Sequence, residues 1–424
     1  MKDTIYALSS GAPPAAIGII RISGPLAEHT LETLCGKRPE PRRAALRTVR
    51  SRNGRELDRA LVLWFDGPNT ATGEDLAEIH CHGGLAIVNA VRMEIGALPG
   101  IREALPGEFT RRAFENGQID LAEAEALADL LTSETELQRQ IAQDNFGGAL
   151  SRRVEEWRSC LITVSADLEA LLDFADEDDV AIDMSAIYAG VSNLNERLGA
   201  ALNEPPMERL RSGIRVVLAG PPNSGKSSLF NAILAENAAI VSDISGTTRD
   251  VLERPVAVSG VPITLVDTAG VHEHSSDTIE RIGIERSKNE FEKSDIVLWL
   301  GSEGEGPDAA WEIDAMCDRN RPSKQSAKFA VSSVTMSGVS ELIKAIADDA
   351  RHMLPKPNST VLNKRQRNHI AIAHLLLAEA VSIRDPLLLA ESLRQVRVEF
   401  DAVTGRVSTE DMLDALFGGF CIGK

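Results

Sequence analysis

The chain is 424 residues long and carries a formal net charge of −18, with a pI near 5.0. This length exceeds one ordinary hydrophobic core, so two or three domains are expected. The net negative charge argues against an extended basic surface that binds nucleic acid. Five scattered cysteines without a C-x-x-C pair fit a reducing cytoplasm, and no run of residues is long and apolar enough to predict a membrane span.

The pattern of apolar residues changes along the chain. β-Rich runs such as Ala16–Ile22 and Ala60–Phe65 alternate with turns and short helices near the start, whereas helical spacing begins at Asp120 and resumes after Pro357. The predicted fold class is therefore an α/β multidomain protein. Its predicted parts are an N-terminal α/β domain (1–119), a helical domain in two parts (120–212 and 351–424) and an inserted α/β domain (213–350).

The centre of the chain carries a phosphate-binding loop. The apolar run Ile214–Ala219 is followed by Gly220-Pro221-Pro222-Asn223-Ser224-Gly225-Lys226-Ser227 and then by a helical pattern. Glycines let backbone N–H groups wrap the phosphates, Lys226 reaches the β and γ oxygens, and Ser227 holds Mg²⁺. This strand, loop and helix predict a P-loop nucleotide site.

Two further segments are typical of a nucleotide switch. Thr248, within Gly246–Asp250, would supply a second hydroxyl to Mg²⁺. The predicted strand Ile263–Val266 ends in Asp267-Thr268-Ala269-Gly270, where Asp267 would lie beyond Ser227 in the Mg²⁺ shell and the Gly270 N–H would face the γ-phosphate. The combination indicates a GTPase with a Ras-like domain.

Two positions depart from the Ras-like pattern. The glutamine that orients the attacking water in Ras-like proteins is replaced by Val271, which cannot polarise water. A polar side chain within His272–Glu280 would therefore have to orient it. The guanine-specific N-K-x-D is Ala315-Met316-Cys317-Asp318, which keeps only the carboxylate, and Ser332-Ser333-Val334 lies where guanine O6 is usually bound. Guanine is favoured, with an adenine nucleotide as the alternative.

One strongly basic stretch runs against the acidic balance of the chain. It predicts either a patch that faces RNA or a solvated loop and edge strand. Its members are Lys37, Arg38, Arg42, Arg43, Arg47, Arg50, Arg52, Arg55 and Arg59.

When the segments before and after the P-loop domain are considered together with it, the whole chain resembles the MnmE (TrmE) family of bacterial tRNA-modification GTPases. The resemblance is carried by Asp3-Thr4-Ile5, Gly18–Gly24, Thr72–Asp75 with Glu78, His82-Gly83-Gly84, Pro106–Thr110, Leu121-Ala122, Ala124–Ala126, the P-loop motifs and the terminal Cys421-Ile422-Gly423-Lys424.

The resemblance implies an N-terminal folate-binding domain that forms a homodimer, a helical domain and an inserted G domain. It also implies an α2β2 complex with the FAD-dependent partner MnmG. Together they would place an aminomethyl or carboxymethylaminomethyl group on C5 of the wobble uridine of certain tRNAs. The one-carbon unit would come from methylene- or formyl-tetrahydrofolate.

The resemblance assigns residues to the folate site. Arg21, Glu78 and Lys424 would contact folate, and the position of a further family lysine is held by Gln118, which removes a positive charge. Cys421 matches a functionally important terminal cysteine. It would either act in the one-carbon chemistry or be buried and inert. Zinc at His80-Cys81-His82 is disfavoured because adjacent strand residues point to opposite faces.

The resemblance also completes the nucleotide site. K⁺ would take the place of an arginine finger, held by Asn223, Ser242, Ile244 and Thr247, while Glu280 would position the attacking water. The catalytic residues predicted are Lys226, Glu280 and Cys421. The GTP-binding set is Asn223, Ser224, Gly225, Lys226, Ser227, Ser228, Ser242, Asp243, Ile244, Ser245, Gly246, Thr247, Thr248, Asp267, Thr268, Ala269, Gly270, Asp318, Ser332, Ser333 and Val334, with Ser227 and Thr248 on Mg²⁺.

A second hypothesis from another class remains open. The chain would then be a GTP-regulated assembly or binding protein, of the ribosome-assembly type, whose N-terminal domain serves only for docking. The acidic charge, the altered base loop and Gln118 favour it, and folate binding distinguishes the two hypotheses.

Overall fold

The computed structural model describes residues 3–173, 184–236, 252–267, 291, 293–319, 322–357, 359–407 and 409–423. These residues form two compact units. One takes its residues from Met1–Ala128 and Thr404–Lys424, and the other from Asp129–Val403. Among the described residues, no helix is long and apolar enough to cross a membrane. The predicted α/β multidomain class is confirmed, while the finer domain boundaries stay a prediction.

The first unit contains a six-stranded sheet. Its strands are β1 Thr4–Leu8, β2 Ile17–Ser23, β3 Ala45–Arg50, β4 Glu56–Phe65, β5 Leu76–His82 and β6 Ile101–Glu103. They are hydrogen-bonded in the order β3-β4-β5-β2-β1-β6, and all neighbours are antiparallel except β1 and β6. Strand β3 is therefore an edge strand, which agrees with one of the two interpretations of the basic stretch.

The two faces of this sheet differ because side chains alternate along each strand. Ile20 and Ile22 of β2 and Ile79 of β5 are fully buried, in a core shared with helices α1 Ala27–Cys35 and α2 Leu85–Gly96. Their strand neighbours Arg21, Glu78 and His80 lie on the opposite face, so this face of the sheet carries the polar groups.

Three more helices belong wholly or partly to this unit. They are α3 Glu108–Glu115, the first part of α4 Leu121–Leu131 and α13 Glu410–Phe417. Leu121 and Ala124 pack with Leu413, Phe417 and Phe420 in a small core of their own. The C-terminal segment thus packs with helices from the N-terminal half of the chain.

The second unit contains the other six-stranded sheet. Its strands are β7 Ile214–Ala219, β8 Leu252–Val258, β9 Val261–Asp267, β10 Ile296–Trp299, β11 Trp311–Ala315 and β12 Phe329–Val331, in the order β12-β11-β10-β7-β9-β8. All neighbours are parallel except β8 and β9. Strand β7 lies between two partners and is almost wholly buried, as expected for a continuous apolar run in a parallel sheet.

Helices complete the second unit. They are α5 Glu136–Phe146, α6 Ala149–Asp173, α7 Met184–Asn203, α8 Met207–Ser212, α9 Lys226–Glu236, α10 Val339–Met353, α11 Lys364–Ala380 and α12 Pro386–Thr404, the last residue of which belongs to the first unit. Helices α9 and α10 pack on the sheet, and its core also takes in Ile141 of α5 with Met207 and Leu210 of α8. In the helical part, Trp157 and Phe400 are fully buried with ring centroids 6.2 Å apart.

Candidate nucleotide-binding site

The phosphate-binding loop joins the end of β7 to the start of α9, as predicted. Three of its residues have positive φ angles, Gly220 at 148°, Asn223 at 61° and Gly225 at 98°. Glycine adopts such angles without strain, and asparagine is among the few other residues that tolerate the left-handed region. The loop lies at the carboxyl edge of a parallel sheet and at a helix N-terminus, where anions bind.

Lys226 is the first residue of α9 and is only 4% exposed. Its Nζ donates to the carbonyl oxygens of Gly220 (2.9 Å) and Pro221 (2.8 Å). Burial lowers the pKa of Lys226, and the negative charge of Asp267 offsets part of that shift. Among the described residues, two carbonyl oxygens accept hydrogen bonds from this ammonium, and phosphate oxygens would bring further negative charge to it.

A hydroxyl in the same loop also lacks a partner. Ser224 Oγ is buried and makes no hydrogen bond within the described part of the chain. Buried polar atoms are normally satisfied, so this hydroxyl fits a site that takes polar oxygens from a ligand. Ser227 and Ser228, on the first turn of α9, are exposed and accessible to such a ligand.

Asp267 is brought to the same place by strand register. It ends β9 opposite Leu218 of β7, and it is 1% exposed. Asp267 is thus a buried carboxylate close enough to affect the charge of Lys226, and its role near Mg²⁺ stays a prediction.

The base-recognition segments lie at the same sheet edge. Asp318 follows β11 and Ser332 follows β12, and these two strands pair in register at Ala315 and Val331. Ser332 is fully buried, and its Oγ accepts from the N–H groups of Val334 (3.3 Å) and Thr335 (3.1 Å). The turn is therefore held by Ser332, while Ser333 is half-buried and Val334 is exposed.

Met316 connects the base loop to the phosphate loop, which the sequence did not predict. It has a left-handed φ of 60°. A Cβ placed on Gly225 would lie 3.0 Å from Met316 Cε and 3.8 Å from Ala315 Cβ. The two loops thus touch through an apolar contact at the positions where N-K-x-D has lysine and asparagine.

A second cluster lies on the polar face of the sheet in the first unit. The Arg21 guanidinium donates through Nη2 (2.8 Å) and Nε (3.0 Å) to Glu78 Oε1, and His80 Nε2 lies 3.0 Å from Glu78 Oε2. The hydrogen bond from His80 and the charge of Arg21 outweigh burial and hold the pKa of Glu78 below its usual value. Arg21 also lies over the Phe109 ring, 5.8 Å from its centroid.

Comparison with known proteins agrees with this architecture. Residues 4–118 match the family described as GTP-binding protein TrmE N-terminus, and residues 121–421 match the MnmE helical domain. The chain belongs to the MnmE family. A tRNA modification GTPase MnmE from Erythrobacter litoralis (strain HTCC2594) is 57% identical over 423 residues, with complete coverage of both chains.

Other members of the MnmE family are similar over the same length. The tRNA modification GTPase MnmE of Novosphingobium aromaticivorans is 52% identical over 437 residues, again with complete coverage of both chains. Among solved structures, the G domain of the T. maritima FeoB iron transporter is 23% identical and covers 32% of this chain and 98% of its own, with a TM-score of 0.23.

The remaining residues discussed in the sequence analysis fall into two groups. Gln118 is exposed beside Gly73, and Cys421 is exposed rather than buried, with its carbonyl accepting from the Gly107 N–H at 3.5 Å. The other group lies outside the described residues and comprises Ser242, Asp243, Ile244, Ser245, Gly246, Thr247, Thr248, Thr268, Ala269, Gly270, Val271, Glu280 and Lys424.

The side chains of His80, Cys81 and His82 alternate between the two faces of the sheet, as expected for consecutive residues of a strand. Cys81 is buried and donates to the Gly18 carbonyl (3.3 Å), whereas His80 and His82 bind Glu78 and Asp58. The three side chains are therefore directed to separate partners.

Proposed function

We propose that the chain hydrolyses GTP with Mg²⁺ and K⁺ and uses this cycle in tRNA modification. With an FAD-dependent partner of the MnmG type, it would modify C5 of the wobble uridine using a one-carbon unit from a tetrahydrofolate. The observation that carries the proposal is the buried Lys226 ammonium, which is held at the loop by the Gly220 and Pro221 carbonyls and lies close enough to Asp267 to feel its charge. Full-length similarity to tRNA modification GTPases supports the tRNA substrate.

The residues present fit the groups that the reaction needs. Ser224 Oγ and the backbone N–H groups of the loop suit phosphate oxygens, and Ser227 with Asp267 suits the hard oxygen shell of Mg²⁺. Mg²⁺ would neutralise the phosphate charge that develops in the transition state. Asn223 is exposed at the turn of the loop, where its side-chain oxygen would serve K⁺.

Replacing K⁺ by Na⁺ is expected to slow GTP turnover about tenfold or more, because ligands spaced for the larger K⁺ would hold the smaller Na⁺ poorly and the site would lose a preorganised positive charge worth that order of rate. Steady-state turnover by the purified chain in each salt, with ATP alongside GTP, measures it. Asn223→Gly removes the amide but tolerates the left-handed backbone, so it should remove the difference between the two salts without straining the loop. Equal wild-type turnover in K⁺ and Na⁺ would rule out a specific role for K⁺. Equal turnover of ATP and GTP would rule out selectivity for guanine.

The folate part of the proposal rests on the Arg21 cluster. A guanidinium, an ionised carboxylate and the Phe109 ring are the groups that an anionic ligand with a flat heterocycle would use. Arg21→Ala is expected to weaken binding of formyl-tetrahydrofolate about tenfold or more, since it removes a charge-assisted contact.

Isothermal titration calorimetry of the full chain measures this loss. Arg92→Ala, which removes an arginine paired with Glu103 in the same unit, should leave the affinity unchanged and serves as the control. A wild-type chain that binds no folate would instead favour the GTP-regulated assembly protein with a docking domain.

A further inference from the structure

The basic stretch of the first unit is not used by either site. Residues 37–59 contain nine basic and three acidic residues, a net charge of +6 in a chain of net charge −18. We call these residues the basic edge. They comprise the segment that enters β3, the edge strand itself, the β3–β4 turn and the start of β4.

Five cations of the basic edge have no carboxylate partner among the residues that the structure describes. Two of the paired arginines have partners that are more than half exposed, Arg43 with Glu40 (78% and 73% exposed) and Arg50 with Glu56 (53% each). Exposed pairs of this kind contribute little and exchange readily. The five without a carboxylate are Lys37, Arg42, Arg47, Arg55 and Arg59.

Two arginines of the basic edge are held by contacts that involve no carboxylate. Arg47 Nε donates to the Lys37 carbonyl (3.3 Å), and Arg42 donates to the Asn69 carbonyl while its guanidinium lies 5.7 Å from the Phe65 ring centroid. Both arginines are therefore held by backbone and ring contacts that leave their charge uncompensated. Strand β3 has six residues, a length of about 20 Å.

We infer that the basic edge binds the phosphate backbone of RNA, which for the function proposed above is the tRNA substrate. Eight of its nine cations are arginines, and the planar guanidinium matches phosphate oxygens bidentately. A sheet edge of about 20 Å is long enough to span several consecutive phosphates of one strand. Because the rest of the chain is acidic, a polyanion is directed to this one edge.

The ordinary alternative is that the charges protect an exposed sheet edge from pairing with other chains. That role needs charge but no particular ligand. It predicts self-association when the charges are removed, and no change in RNA affinity.

The test compares two triple variants of the full chain. One carries Arg42→Ala, Arg55→Ala and Arg59→Ala. The control carries Arg139→Ala, Arg153→Ala and Arg394→Ala, which remove the same charge from arginines that are 51%, 46% and 63% exposed and paired within their own helices. Fluorescence anisotropy with an unmodified transcript of a tRNA that has a wobble uridine, over a range of KCl concentrations, gives affinity and salt slope.

The basic-edge variant should bind about tenfold to a hundredfold more weakly at low salt, and its slope of log affinity against log salt should fall by about 2 to 3, while the control matches the wild type. Unchanged affinity and slope would overturn the inference, with or without self-association in size-exclusion chromatography. So would a wild-type chain that binds no tRNA.

GTP turnover in K⁺, measured on the same samples, separates this inference from the proposed function. If the basic-edge variant has normal GTP turnover and unchanged RNA binding, the inference about the basic edge is wrong and the proposed function is unaffected. Absent turnover with a salt-dependent loss of RNA binding would support the basic edge and contradict the proposed GTP cycle.

Discussion

Lys226→Met is expected to reduce GTP turnover about 10²- to 10³-fold, the usual effect of removing one group that stabilises developing charge. The substitution keeps most of the side-chain volume and removes the ammonium that would meet the phosphates. It should leave the nucleotide-free protein at least as stable as the wild type. Burial lowers the pKa of Lys226, so the folded chain holds this proton less tightly than the unfolded chain, and the charge lowers stability at neutral pH.

The two effects should be visible in one thermal-denaturation series. Wild type should gain stability when GTP and Mg²⁺ are added, because a ligand that binds only the folded state shifts the equilibrium. Lys226→Met should start from an equal or higher melting temperature and gain nothing.

Lys324→Met is the matched control for this prediction. The Lys324 side chain is 10% exposed, but its Nζ pairs with Glu312 at 2.6 Å. This variant should melt lower than the wild type, because it leaves a carboxylate without its partner, yet still respond to GTP. If GTP raises the melting temperature of Lys226→Met as much as that of the wild type, Lys226 does not contribute to nucleotide binding.

The parts of the site that are local in sequence were predictable. The loop Gly220–Ser227 and the strand Ile214–Ala219 occur where the sequence placed them, because a continuous apolar run followed by glycines has few other structural solutions. Helical spacing predicted α6 and α7 well for the same reason. The helical spacing predicted after Pro357 did not show where each helix ends: α12 ends at Thr404, because Gly405 has a φ of 82° that a helix does not accommodate.

One helix was missed although its signal was present. Helix α5 has only Ile141 and Ala142 buried, so its apolar pattern is weak. However, Thr135 and Gln138 form a capping box, and this spacing is readable from sequence. Attention to caps would have found the helix that contributes Ile141 to the core of the second sheet.

Contacts between distant residues were not predictable from the residues themselves. Arg21 meets Glu78 because β2 and β5 pair in one register, and only the family resemblance pointed to both. Met316 against Gly225 depends on the same kind of long-range register. Periodicity fixes which face of a strand a side chain occupies, but it does not fix the partner strand.

Arg112→Ala is expected to lower the free energy of unfolding by about 3–5 kcal/mol, the cost of removing one member of a buried charge network. The Arg112 side chain is 6% exposed and donates to Asp3 Oδ1 (2.7 Å), Glu74 Oε2 (3.0 Å) and Glu108 Oε1 (3.1 Å). Its loss leaves these carboxylates short of a counter-charge. Arg111→Ala is the control, because its partners Glu115 and Asp414 are exposed and such pairs contribute at most about 1 kcal/mol.

The dependence on pH distinguishes this network from ordinary packing. Burial raises the pKa of Asp3 and of Glu108, but the hydrogen bonds and charges of Arg102 and Arg112 outweigh it, so both pKa values lie below their ordinary range. A carboxyl whose folded pKa is depressed stabilises the protein above its unfolded pKa, and this contribution is lost as the pH falls through the folded pKa.

The difference in the free energy of unfolding between wild type and Arg112→Ala should therefore be largest at pH 7 and should shrink as the pH falls below about 4. Urea denaturation at a series of pH values measures it. A difference that stays constant down to about pH 3 would mean that Arg112 acts through its packing and that its charge contributes little, because a cavity costs the same whether or not the carboxyls are ionised.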